Sequence, residues 1–575
     1  YYPAYLVYLF QPRGQNGLLY SNLPAATPTR RVTSQSDQIE MGTTTSKNYQ
    51  FITTLSYARK FGEHDVDAMV GFDQGEAESE NTLLSKTQQI VAGIDEFWAF
   101  SNDPSTLGSV QDAFRNPQYF KNAKRSYISR VNYSFKNRYF FEFIGRADAS
   151  VNFLPANRWG FFPTVGLGWK ISDENFFKNV RLINTLKLRA NYGLVGEDRV
   201  GNRLWEARYT QTTGILIGNT NTGGLDPNIY PNPNITWEKA RSLNVGIDLV
   251  MLNNKLNFTA DFYHRYAYDG FDTYSTNVFP PTAGIPPPVV NYGRQISWGS
   301  EFSVGYRTRI GKDWGVNVDA NFGWSNSQLL QSFYNEADLG NYGQNQLNIA
   351  IGRDPRKYNG SNIGYIAKGI LRTQAEVDAL LAKNPNYLIG GAKPQVGFMD
   401  FEDINGDGQI NDLDVTTMFD RTTALVGFGF TFGVTYKQFK LQTNMNLSIG
   451  GKRFFDSEAR KVPTTTQNAP AFWADHWTPD NPNGKYPRAD APLARENSTF
   501  WAVNGTQSRI NNAVLSYQIP KNLATKLRIP DLRIMLTGTN LWSIINPLKY
   551  KDPYTSNFAN YPILRTISLG INASL

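Results

Sequence analysis

The chain has 575 residues, only 18% of them charged and 14% aromatic, with a formal net charge of +8; soluble domains usually carry roughly 25% charged residues. Without Cys there is no disulfide scaffold, thiolate zinc site or thiol nucleophile, and three His far apart in sequence (His64, His264, His476) argue against a multi-His metal centre. Lys and Arg are spread beside 49 acidic residues without a basic run, which speaks against a nucleic-acid surface; no stretch approaches the roughly 18 consecutive apolar residues of a membrane-crossing helix, and the sequence from Tyr1 has no signal-peptide succession.

Residues 1–49 show no clear pattern. Further on, side-chain alternation with period two recurs along the chain, as a strand with one apolar face requires. A strand over 127–135 is predicted to meet one over 139–146 through Lys136-Asn137-Arg138. In 186–194, Leu186, Leu188, Ala190, Tyr192 and Leu194 alternate with Lys187, Arg189, Asn191 and Gly193. Strands near 243–251 and 256–266 join through Asn253-Asn254, with Leu256, Phe258, Ala260 and Phe262 on one face. Those near 292–310 and 314–329 join through Gly311-Lys312-Asp313, with Val316, Val318, Ala320 and Phe322 aligned. Those at 424–436 and 439–449 join through Lys437-Gln438; Val426, Phe428, Phe430, Phe432 and Val434 oppose small or polar residues. The last residues alternate as well, from Ile567 to Leu575.

Between these hairpins lie long connections at about 195–235, 269–291, 330–423, 450–505 and 543–561. Short and long connections alternate strictly, as they do in an outer-membrane barrel with short turns on one side and long loops on the other; a sandwich has no reason to sort its loops in this way. The longer turns near 172–184 and 520–531 fall on the short side. About fifteen strands are predicted outside 1–49, many near the roughly 9 to 11 residues of a tilted membrane strand. The expected fold is all-β, a transmembrane antiparallel β-barrel with long extracellular loops. Trp159, Trp169, Trp324 and Trp542 near strand ends suit an interfacial girdle, although core rings would read alike.

The sharpest local motif lies in the longest connection, from Asp403 to Asp414 (DINGDGQINDLD). Asp403, Asn405 and Asp407 take positions 1, 3 and 5 of a calcium loop, Gly408 position 6, Gln409 position 7 with its carbonyl, and Asp414 position 12, where the usual Glu is replaced by a shorter acid as in dockerin-type loops. Asn411 or Asp412 could complete the shell. The bland alternative is a solvated turn, since Asn-Gly-Asp-Gly turns without metal. Just upstream, Thr373 to Glu376 reads as a capping box opening a short helix that Asn384-Pro385 stops.

Trp473, Trp477, Tyr486 and Trp501 in the 450–505 connection, with polar neighbours, are candidate rings for contacting a sugar or peptide; the competing role is packing a long ordered loop. Gly427 to Gly433 has the wrong spacing and context for a phosphate loop, and its small residues more simply leave lumen space. No Gly-x-Ser-x-Gly elbow, P-loop or HExxH helix is present, Asp261 and Glu301 read as wall polar groups, and no enzyme is expected.

Several segments resemble one family, the SusC/RagA-like TonB-dependent outer-membrane transporters of Bacteroidetes. They are NRWGFFPTVGLGWKISDENFFK (157–178), LKLRANYGLVG (186–196), NPNITWEKARSLNVGIDLVMLNNKLNFTADFY (232–263), DINGDGQIND (403–412), HWTPDNPNGKYPR (476–488), LSYQIPKNLA (515–524), LRIMLTGTNLW (532–542) and the ending YPILRTISLGINASL. The likeness covers most of 127–575 and is looser over 1–126; the ending in Leu575 departs from the family's usual terminal aromatic. It implies a barrel of twenty-two strands around an N-terminal plug, lidded by a SusD-like surface lipoprotein. It also implies import of an oligosaccharide or peptide, driven through TonB, ExbB and ExbD, from an outer membrane whose lipid and LPS surround the wall. The C-terminus is then periplasmic. With about fifteen strands and no recognisable plug or TonB box, the chain reads as the C-terminal part of such a protein: 1–126 as loosely matched strands and loops, and 127–575 as wall carrying the 330–423 and 450–505 loops. The alternatives are a siderophore-type receptor without a lipoprotein lid and a secreted β-rich protein with a dockerin-like calcium module.

Overall fold

The computed structural model describes residues 6–9, 29–32, 38–87, 90–91, 94–101, 120–218, 220–274, 279, 281–333, 362–419, 421–461, 470–526, 529 and 531–574. Fifteen strands form one sheet in which spatial order equals chain order. They are β1 (Gln38–Phe61), β2 (His64–Thr87), β3 (Phe120–Phe135), β4 (Tyr139–Ser150) and β5 (Trp159–Lys170). Next come β6 (Ile183–Glu197), β7 (Glu238–Met251), β8 (Leu256–Thr273), β9 (Val289–Ile310) and β10 (Trp314–Gln331). The last are β11 (Val426–Tyr436), β12 (Phe439–Ile449), β13 (Gln507–Gln518), β14 (Asp531–Ile545) and β15 (Thr566–Ser574). Every neighbouring pair is antiparallel, and β1 and β15 each keep one edge without a partner among the described residues.

Because side chains alternate, directly opposed residues share a face all the way across the sheet. One such row runs Ile247, Ala260, Phe302, Phe322, Phe428, Leu447. A row on the other face runs Asn257, Gly305, Asp319, Thr431, Asn444, Asn512, Thr539, Thr566. The apolar face is bare even in mid-sheet: Leu167 is 57% exposed and Phe262 49%. A sandwich would bury that face under a second sheet; a lipid-facing wall leaves it uncovered by protein. The band has the height of a membrane wall. Outward-facing rings at Phe135 and Tyr127 bracket it on β3, eight residues apart, about 27 Å along the strand and roughly 20 Å once tilted.

Two girdles edge the band. On the short-turn side the Trp169 indole N–H donates to Glu174 Oε1 at 3.1 Å, and the Tyr139 hydroxyl donates to the same oxygen at 2.5 Å, so each ring keeps a wet end. On the loop side Tyr127 stacks on the half-exposed Trp159 at 5.7 Å. Trp542 projects from the same face and is largely exposed, whereas Trp324 is only partly so.

With one exception, the connections alternate as the sequence predicts. Short turns fall at 62–63, 136–138, 252–255, 311–313 and 437–438, with 171–182 and 519–530 on their side. On the other side fall 88–119, 198–237, 274–288, 332–425, 450–506 and 546–565, together with 151–158, which is shorter than 171–182 and 519–530 and so departs from the expected sorting. The tight turns use left-handed backbone, at Asn137 (φ 53), Asn253 (φ 55) and Asn254 (φ 64), where asparagine tolerates it, and also at Lys136 (φ 55), Leu252 (φ 56) and Lys437 (φ 53). The expected count of fifteen strands is met, but the first begins at Gln38, inside the segment without a readable pattern. The reason is physical. β1 and β2 are 24 residues each and their ladder continues past the apolar band, where pairs such as Tyr49 Oη to Glu76 (2.9 Å) replace apolar alternation. Leu575, the last residue of the predicted alternation, lies outside the described residues.

Candidate functional site

The polar face carries the first part of the site. Arg189 on β6 reaches across β7 to β8: its guanidinium donates to Asp261 at 2.6 Å, Asp248 at 3.2 Å and Asn244 at 3.3 Å. Asp261 is thereby a structural ion-pair partner, as a wall residue should be. Of the glycines of β11, Gly427 leaves open space, as expected, whereas Gly429 and Gly433 do not. A Cβ at Gly429 would collide with the Asn321 amide and one at Gly433 with that of Asn317, so these glycines let asparagines from β10 lie flat against the wall.

Three long loops pack into a canopy at one end of the sheet. In 332–425, helix α1 (Gln374–Lys383) has the predicted capping box: Glu376 N–H donates to Thr373 Oγ1 (3.3 Å) and Thr373 N–H to Glu376 Oε2 (3.1 Å). Its Val377 enters a core with Tyr365, Tyr387, Ile389, Phe398, Phe401 and Ile410, which Ala491 and Ala494 of the 450–506 loop complete. The two loops therefore share one interior. Burial and the adjoining Asp400, whose Oδ1 accepts the Tyr387 hydroxyl at 2.9 Å, push that phenol well above its ordinary range.

The Asp403–Asp414 turn sits against this core. Asp403 accepts Gly406 N–H and Gly408 N–H, each at 2.8 Å, and Asp407 accepts Gln409 N–H at 2.7 Å. Asn405 Oδ1 accepts Asp407 N–H at 3.1 Å. Asp414 is fully buried and accepts from Ile404 N–H at 2.8 Å and Asn411 N–H at 2.9 Å; burial pushes its carboxyl up. The side chains thus hold the turn through backbone donors, and among the described residues no three His, Cys, Asp or Glu groups converge as a metal cage.

The four aromatic candidates are found in the interior of the canopy. Trp473, Trp477 and Trp501 are buried, and Tyr486 stacks on Trp501 at 5.8 Å. Trp473 gives its indole N–H to Ala459 O (2.9 Å) and Trp501 to Ala494 O (2.8 Å). Here these rings pack the loop. Their neighbours Phe455 and Phe472 extend the cluster to Tyr550 of the 546–565 loop.

The polar anchors of this canopy escaped sequence reading. Asp456 accepts from Lys551 Nζ (3.0 Å), Tyr550 Oη (2.8 Å), Ala459 N–H (2.9 Å) and Phe558 N–H (3.2 Å). Burial opposes its charge, but Lys551, Tyr550 and the two backbone donors outweigh it and hold the carboxyl below its usual range. On β13 the buried Arg509 pairs with Asp552 and lies 4.6 Å from the Tyr554 ring centroid. Between these anchors and the strand ends opens a cavity of about 630 Å³, lined in part by Ser448, Gln507, Tyr554 and Thr555. Gln507 is buried with its Oε1 unpartnered, and the Thr555 hydroxyl is unpartnered as well. The only sequence signal for these groups is a polar residue at a strand end, which is too common to single them out.

One polar face, one bare apolar face and a packed canopy at one end define the wall of an outer-membrane β-barrel. Residues 4–541 match the family model described as "TonB dependent receptor-like, beta-barrel". The chain belongs to that family, whose members are transporters and not enzymes. TonB-dependent receptor P26 of Formosa agariphila is 27% identical over 580 residues, covering 92% of this chain and 54% of its own length. TonB-dependent receptor SusC of Bacteroides thetaiotaomicron is 27% identical over 426 residues, covering 73% of this chain and 39% of its own length. The structure of the RagAB peptide transporter shares the fold at a TM-score of 0.72 and 20% identity, over 93% of this chain and 56% of that one. The chain spans about half the length of the curated relatives it matches.

Proposed function

We propose that this chain supplies most of the wall and the outer canopy of a SusC/RagA-type importer that takes an oligosaccharide or peptide across the outer membrane. In this reading the polar face lines the lumen, the canopy faces the medium beside a SusD-like lipoprotein, and the short turns and C-terminus face the periplasm. Energy comes through TonB, ExbB and ExbD. The observation that carries it is the junction of a hydrogen-bonding lumen wall with the cavity beneath the packed canopy, where Gln507 and Thr555 present unpartnered polar atoms. Buried groups of this kind cost free energy unless a ligand or water satisfies them. In the full-length transporter, uptake of the cognate cargo should stop when the proton-motive force is collapsed, and a surface lipoprotein should co-purify. Uptake that persists without proton-motive force would refute the energy coupling.

We also propose that Ca2+ rigidifies the Asp403–Asp414 turn, held by Asp403, Asn405, Asp407, the Gln409 carbonyl and Asp414. Each carboxylate oxygen of Asp403 and Asp407 accepts a single N–H donor and keeps a second acceptor site for a cation. Added Ca2+ should slow protease cleavage within 362–419 in the wild type and leave the Asp403→Asn/Asp407→Asn variant unaffected. Equal protection of both would remove the ion from the account.

A further inference from the structure

On the loop side, the outward rows of β7 and β9 end on cations. Along β7 the row runs Met251, Leu249, Ile247, Val245, Leu243 and then Arg241 and Lys239. On β8 it ends at Tyr266 and Tyr268, and on β9 it passes Trp298 and Ile296 to Arg294. The register places Arg241 opposite Tyr266, which is opposite Ile296, so these residues share one outward surface across three strands. The Arg241 guanidinium lies 5.2 Å from the centre of the Tyr268 ring and the Lys239 ammonium 5.9 Å from it, while Tyr266 stacks on Tyr268 at 5.8 Å. Lys239 has an acidic neighbour, Asp269, at 3.1 Å. Arg241 and Arg294 are exposed and have no acidic partner among the described residues.

The opposite ends of the outward rows close on rings such as Phe135, Tyr139, Trp169, Tyr436 and Phe439; Arg59 lies beside Phe61, and the turn residues Lys136 and Lys437 lie over Phe135 and Tyr436, but each of these two lysines has an acidic partner, Glu63 at 3.3 Å and Asp313 at 4.0 Å. The position of Arg241 has a physical consequence. Arg241 is the first charge after five apolar positions, so it stands where acyl chains give way to headgroups. A guanidinium there presents paired donors that suit phosphate oxygens, and rings at that depth keep the cations from folding back.

We infer that Arg241, Arg294 and Lys239, ordered by Tyr268, form a site on the outer wall for the phosphate of an outer-leaflet lipid. The site rests on the loops facing the medium, as proposed above, and is independent of the cargo. The full-length transporter, purified in detergent, is titrated in native mass spectrometry with phosphorylated lipid A and with the same lipid after removal of its phosphate. The wild type should bind the phosphorylated form in preference. Arg241→Gln/Arg294→Gln should weaken that binding by roughly fivefold per cation, about 25-fold together, without shifting the melting temperature of the lipid-free protein. Arg241→Lys/Arg294→Lys should retain most of it.

Equal binding of the two lipids by the wild type, or unchanged binding by the Gln variant, would overturn the site; so would displacement of the lipid by millimolar inorganic phosphate. The lipid comparison needs no variant and stands even if the Gln protein fails to fold. Orientation is read separately: Asn483→Cys in the exposed canopy should react with an impermeant maleimide on intact cells. Its protection would refute the orientation, while leaving the phosphate preference of the purified protein as measured.

Discussion

Trp501→Ala should loosen the canopy without disturbing the sheet. The indole is 1% exposed, stacks on Tyr486, meets Phe500 edge-on at 4.9 Å and gives its N–H to Ala494 O. Removing a ring of that size from a packed site costs about 3–5 kcal/mol. Because Ala494 belongs to the core shared with 362–419, the damage should cross from one loop to the other. Hydrogen exchange should therefore speed up in both 450–506 and 362–419, while the ladders of β11 and β12 keep their protection. If Trp501 instead acted as a ligand-contacting ring, the variant would lose uptake with canopy exchange unchanged. That pattern would refute the packing role.

The second large effect concerns the bare face. Phe430 lies near the middle of β11, opposite Ala320 on one side and Met445 on the other. Phe430→Arg should cost about 2–4 kcal/mol, the range for a cation facing lipid at the bilayer midplane. The neighbouring Thr431→Arg points the same charge into the polar row and should cost close to nothing. Heat-modifiable migration of the full-length protein from isolated outer membranes reads the folded fraction of each. Equal losses in both variants would mean that the two faces do not differ in solvent.

How much of this was legible in the sequence follows from which interactions are local. The β11–β12 hairpin was readable nearly to the residue, since five apolar side chains at alternate positions and a two-residue break suffice to define it. The capping box at Thr373 was readable for the same reason, its two bonds spanning three residues. The Asp456 hub was not: its bond from Tyr550 joins residues 94 apart, and nothing near either residue announces the other. The start of β1 at Gln38 was hidden because a strand rising beyond lipid has no need to alternate. The four canopy rings illustrate a different limit. Trp473, Trp477, Tyr486 and Trp501 read alike as binding or packing residues until their neighbours are known.

The central claim is that the row containing Phe428 and Phe430 meets acyl chains while that of Gly429 and Thr431 meets water. With any Cys outside these 575 Cys-free residues replaced, a single nitroxide can be attached at Phe430→Cys or at Thr431→Cys in the full-length transporter reconstituted in bilayers. Collisions with dissolved oxygen and with an aqueous nickel chelate are then compared at the two positions. The account predicts a label at 430 open to oxygen and shielded from nickel, and the reverse at 431. A nickel-accessible, oxygen-shielded label at 430 would contradict it.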